Sequence, residues 1–215
     1  MAQNLARGGL QPLSDAEGGA CATVRRRVAS GNGTAIFCGD PVTYTAAGVV
    51  GLATAGSGLI GAVIGAEYFD TASQSRKSGF FLPANTTYTS TAFDVNGGET
   101  DQSFVTITGS PVTDRFVVQY STGLPALTDL SKNANFTLAT AGTTYNGMSG
   151  CTLDQTTIAA TQGLDLRILD IYQNVLSDPT QGVSTGGVEP SVIVQINATS
   201  ATGGVPVVGG GNTGR

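Results

Sequence analysis

Apolar residues in this chain come in short runs of about four to eight residues, rich in Val, Ile, Thr, Phe and Tyr, and each run is closed by Gly, Pro, Asn or Asp. That spacing suits short β-strands and leaves no long helical period. The runs predict strands over 23–29, 34–38, 42–45, 49–54, 59–69, 79–82, 104–108, 115–120, 135–138, 166–172 and 192–197. Two segments, 124–133 and 156–164, carry a weak helical alternative and read as connectors. The expected fold is all-β, an antiparallel β-barrel or sandwich. Residues 1–20 form an extended N-terminal arm, 21–200 the body and 201–215 a Gly-rich C-terminal tail.

Composition agrees with many turns on a real core. Gly accounts for 31 of 215 residues and charged residues for only 12%, while 40% are hydrophobic, too many for a disordered chain. The net charge is −5 and only ten Lys and Arg are present, so nucleic acid is not an expected partner. The basic run Arg25-Arg26-Arg27 lies in a predicted strand, where alternation sends Arg25 and Arg27 to one face and Arg26 to the other. A solvated or inter-subunit face is the favoured reading over a phosphate patch.

The chain has no histidine, which removes Ser-His-Asp triads, Cys-His dyads and His-ligated metals. Carboxylate pairs such as Glu67 with Asp70, or Glu99 with Asp101, are candidates for glycosidase chemistry, but the chain has no Trp to stack a sugar and the pairs read as loop acids. The segment 94–101 concentrates oxygen ligands around two glycines without matching the spacing of a calcium loop, so a hairpin tip is expected. Cys21, Cys38 and Cys151 are odd in number and lack C-x-x-C spacing; Cys21 and Cys38 can pair in an oxidising medium, and free, buried thiols are the favoured state. No cofactor, metal or catalytic residue is expected. The first residues lack the apolar core of an export signal. The uncharged stretch 48–66 is punctuated by Gly56-Ser57-Gly58 and other glycines, so a membrane span is not expected either.

Ordered short motifs run the length of the chain: Gly9-Leu10-Gln11-Pro12, Arg27-Val28-Ala29-Ser30, Ile36-Phe37-Cys38-Gly39-Asp40-Pro41-Val42, Leu59-Ile60-Gly61-Ala62-Val63, Phe80-Phe81-Leu82-Pro83, Asp114-Arg115-Phe116-Val117, Lys132-Asn133-Ala134-Asn135, Leu166-Arg167-Ile168-Leu169 and Val192-Ile193-Val194-Gln195. This succession resembles the head decoration (cement) proteins that tailed bacteriophages encode beside the major capsid protein. The resemblance implies a barrel-like body, a homotrimer at threefold and quasi-threefold sites on the outer surface of the virion head, the major capsid protein as partner, and no catalytic residue. The chain departs from the family's pattern over 94–111 and after Asn197.

Candidate interface residues follow from the arm, the basic strand and the tail. Leu5 and Leu10 are the expected anchors of the arm, Arg25 and Arg27 the expected inter-subunit face, and Val205, Val207 and Val208 the apolar centre of a tail suited to docking as an extended strand on a neighbour. The rival reading is a glycan- or cell-binding module using the 94–101 loop with Tyr68, Tyr88 and Tyr145. A surface-layer or pilus subunit shares the composition but would need the export signal.

Overall fold

A computed structural model describes residues 8–70, 72–87, 102–108, 110, 113–139, 141–161, 163–172 and 190–197. The fold is all-β with antiparallel sheets, as expected. Among the described residues, fourteen strands run in chain order: β1 (Gln11–Ser14), β2 (Thr23–Arg27), β3 (Ile36–Phe37), β4 (Pro41–Tyr44), β5 (Val50–Leu52), β6 (Gly61–Asp70), β7 (Ser75–Gly79), β8 (Phe81–Leu82), β9 (Phe104–Thr108), β10 (Arg115–Gln119), β11 (Asn133–Thr137), β12 (Thr152–Ala159), β13 (Leu166–Tyr172) and β14 (Ser191–Ile196).

They form two open sheets and a ribbon. The first sheet has the order β1-β10-β14-β13-β11-β12; the second has β2-β9-β6-β4-β5 with β7 also on β6; β3 and β8 pair by themselves. Of the two expected architectures, a sandwich-type arrangement is observed and a closed barrel is not: no ladder joins the outer strands of either described sheet, and only single bridges, Val28 with Val50 and Tyr120 with Leu153, reach across. The whole second sheet is threaded between β1 and β10, which are neighbours in the first.

Side-chain alternation explains the packing. On β14 every second residue is buried, so Val192, Val194 and Ile196 face inward together with Phe116 and Val118 of β10. These meet Leu153, Leu166 and Ile168 of the same sheet and Ala53, Leu59 and Ala62 of the second, and this shared core joins the two sheets. A second core, formed by Val28, Ile36, Val42, Val63, Leu82, Val105 and Ile107, fills the space between the second sheet and the ribbon. A polar bond adds to the join, the Gly56 amide donating to the fully buried Asp165 at 2.9 Å, and within the first sheet Asn197 Nδ2 donates to Asn133 Oδ1 at 2.9 Å.

Three strands are absent from the sequence expectation. β1 contains Pro12, which a sheet tolerates at its edge, and β1 is an edge strand. β7 is exposed at every position, so it has no apolar alternation to read. β12 takes over the first four residues of one expected connector: residues 156–159 extend the strand, with Ala159 opposite Asn133, because pairing with β11 overrides a weak local preference. The other connector contains a single 3-10 turn, Leu127–Asp129. The apolar stretch 48–66 becomes β5, a turn closed by the Ser57 amide on Thr54, and the start of β6. Among the described residues no helix is long and apolar enough to cross a membrane.

Candidate interaction surface

The arginine run occupies β2, an edge strand of the second sheet. Charge on an edge strand blunts edge-to-edge pairing with other chains, which is one role the run fulfils. In register across the sheet, Arg27 lies opposite Phe104 on β9, Phe104 opposite Glu67 on β6, and Glu67 opposite Ser78 on β7. Arg25 sits two residues from Arg27 on the same face. Its guanidinium lies 3.6 Å from the centre of the Phe104 ring, and its Nη2 donates to Glu67 Oε2 at 2.8 Å. Arg76 Nη1 reaches the same oxygen at 3.1 Å, with its guanidinium 5.7 Å from the ring.

Phe104 is therefore only 7% exposed although it faces away from the second core, because two arginines cover it. Among the described residues the face gathers Arg25, Arg27 and Arg76 around Phe104 and Glu67. Ordered guanidiniums stacked on an aromatic suit carboxylate or carbonyl partners. The sequence identified Arg25 and Arg27. It did not identify Glu67, Phe104 or Arg76 as their partners, since only strand register brings four separate segments together.

The other expected interface residues fall elsewhere. Leu10 is fully buried in this chain's own core, and its amide donates to the Gly39 carbonyl at 2.9 Å. The anchoring expected of it toward a neighbour is thus made within the chain: the arm is fastened through Leu10 and β1 to its own body. Leu5, Val205, Val207 and Val208, along with Tyr88 and the 94–101 loop, lie outside the described residues.

Large exposed apolar side chains mark two further places. Tyr145, 97% exposed, tips the turn closed by the Gly147 amide on Thr143, and Phe80, 62% exposed, packs its Cβ against Gly147. The doublet Phe80-Phe81 carries a readable signal, because alternation forces one ring outward when the other stacks inward, here on Phe37. Leu124 and Leu127 project from the loop after β10, beside an open cleft of about 360 Å³ lined by Tyr120, Asp129, Lys132 and Gln155. Those polar groups are committed internally: Asp129 accepts bonds from the Ala126 amide and the Tyr120 hydroxyl and pairs with Lys132, and Gln155 donates to Thr122.

Ionisable groups in the body are likewise tied into structure. Glu67 and Asp70 are three residues apart on one strand and point to opposite faces. Asp70 is held down to about 2 by hydrogen bonds from Lys77, Ser73 and the Ala72 amide, the reverse of what a general acid needs. Cys38 and Cys151 are buried free thiols and Cys21 is a half-buried one, and burial pushes all three upward. Asp40, 3% exposed, accepts the Phe37 amide at 2.7 Å and the Ser149 hydroxyl, and Ser149 Oγ accepts the Cys151 amide at 2.9 Å. This chain of bonds ties the second sheet to the segment preceding β12. Among the described residues no three His, Cys, Asp or Glu side chains are grouped to hold a metal.

No family model, curated protein or solved structure matches the chain.

Proposed function

We propose that this chain is a non-enzymatic structural protein, a decoration (cement) protein that binds the outer surface of a tailed-phage head as a homotrimer and stabilises it. The observation that carries the reading is the kind of surface the body presents: an arginine-covered aromatic face on β2, β9, β6 and β7, and exposed Phe80, Leu124, Leu127 and Tyr145 at loop tips, all on two sheets joined by a common core. Such a body suits contact, since rigid exposed aromatic and Arg side chains are the common anchors of protein interfaces. The resemblance of the ordered motifs to those of decoration proteins suggests the partner, the major capsid protein. It also suggests the place, threefold and quasi-threefold sites, where three identical copies meet three identical surfaces. On this reading the protein assembles in the host cytoplasm and leaves with the virion.

The test combines mass and binding. Light scattering at micromolar concentration is expected to give three times 21.6 kDa, and the purified protein is expected to co-sediment with heads built from the major capsid protein encoded in the same genome. A monomer that stays at the top of the gradient overturns the proposal.

One observation favours a second reading, a binding module for glycans on a host surface: Tyr145 stands almost wholly in solvent, as a sugar-stacking ring does. Tyr68, its expected companion, is half-buried against the second core. If the second reading holds, a glycan array gives signal with the native protein and none with Tyr145→Ala.

A further inference from the structure

We propose that Asp15 and Asp114 form a site for a hard divalent cation, calcium, which fastens the N-terminal edge strand β1 to β10. In the antiparallel pairing Ser14 lies opposite Arg115, so the next residue along one strand and the preceding one along the other are both aspartates. Like charges set opposite each other across a ladder repel and weaken it.

The two carboxylates are also left incomplete in a way that invites a cation. Asp114 is 1% exposed, and its Oδ2 accepts the Ser110 amide at 3.2 Å, yet its buried Oδ1 has no hydrogen-bond partner. Asp15 turns its Oδ1 to the amides of Glu17 and Gly19, at 2.9 and 2.6 Å, while its Oδ2 lies against Gly19 without a hydrogen bond among the described residues. The adjacent cation, Arg115, sends its guanidinium to the Ala16 carbonyl at 3.2 Å. The Cys21 thiol hydrogen-bonds to the Asp114 carboxyl without satisfying Oδ1, and burial and the two carboxylates keep that thiol protonated.

A buried carboxylate oxygen without a partner is costly and rare in folded proteins, and it is satisfied either by a proton or by a cation. Burial, and then the charge of Asp15, push Asp114 toward holding the proton when no cation is bound. Oxygen-only ligands select a hard ion, and calcium accepts irregular sets completed by water. With two carboxylates and no third acidic ligand grouped with them, the affinity is weak, on the order of 10⁻⁴ to 10⁻³ M.

The site is independent of the head-binding proposal and is tested on the free protein. Unfolding is followed by circular dichroism in about 10 mM calcium chloride and in sodium chloride of equal ionic strength. Calcium is expected to raise the midpoint by about 3–5 °C, and Asp114→Asn is expected to abolish the rise. Asp15→Asn, at a half-buried loop position, is expected to do the same and serves if Asp114→Asn does not fold. Equal midpoints in the two salts overturn the proposal, as does a full calcium shift in Asp15→Asn.

Discussion

Gly39→Ala is expected to destabilise the protein by at least about 4 kcal/mol, the largest effect of any substitution considered. Gly39 has φ +90° and follows β3 at the point where the arm crosses the body. A Cβ there would lie 1.9 Å from the Gly8 carbonyl oxygen and 2.8 Å from Gln11 Nε2. Backbone cannot yield as a side-chain tip does, so the arm must lift. Lifting it breaks the bond from the Leu10 amide to the Gly39 carbonyl and draws Leu10 from a fully buried site, a loss of about 2 kcal/mol in burial alone. Gly48→Ala supplies the control. Gly48 has φ +73° but nothing within 4 Å of a Cβ, so only the strain of about 1–2 kcal/mol remains. Urea unfolding of both variants separates collision from strain; equal losses would show that the contact between arm and body contributes little.

That junction also shows where sequence reasoning reached and where it stopped. Strands with clean alternation and turn residues at both ends were legible: Phe104–Thr108 and Leu166–Tyr172 appear with the bounds expected, and β6 within two residues. Their signal is local, since burial of alternate residues is written into each strand. The role of Leu10 was not legible. A Leu in a Gly-rich leader looks the same whether it awaits a neighbour or plugs its own core, and only the approach of Gly39 decides between them. Phe104 posed the same difficulty, since its burial depends on Arg25 and Arg76, which lie far away in sequence. β7 illustrates the opposite case, a strand made entirely by its partner: Ser75, Arg76, Lys77, Ser78 and Gly79 have no apolar pattern, yet all pair with β6.

Asp40 is expected to make the protein less stable at neutral pH than in mild acid, and Asp40→Asn is expected to remove Asp40's share of that dependence. Burial raises the Asp40 carboxyl from 3.8 to about 6, against the pull of the Phe37 amide and the Ser149 hydroxyl. The native state therefore holds this proton more tightly than the unfolded chain does. The resulting stabilisation is complete below the unfolded value and is lost as pH rises through about 6. Between pH 4.5 and 7.5 it amounts to about 2 kcal/mol. Asp70 titrates in the opposite sense, but its window lies below pH 4 and does not overlap. Asp114 is raised as well, by burial first, and its contribution is common to the native protein and the Asp40 variant, so their difference isolates Asp40. An Asn keeps both contacts, its Oδ1 accepting the Phe37 amide and its Nδ2 donating to Ser149 Oγ, so Asp40→Asn should match or exceed the native stability at pH 7.5. Asp40→Ala, in contrast, leaves the Phe37 amide and the Ser149 hydroxyl buried without an acceptor and is expected to be about 3 kcal/mol less stable than Asp40→Asn at either pH. Urea titrations of the three proteins at the two pH values give the answer: a native pH slope that survives in Asp40→Asn would assign the dependence to another group, and an Asp40→Ala as stable as Asp40→Asn would show that the bonds from Phe37 and Ser149 do not hold the second sheet to the β12 segment.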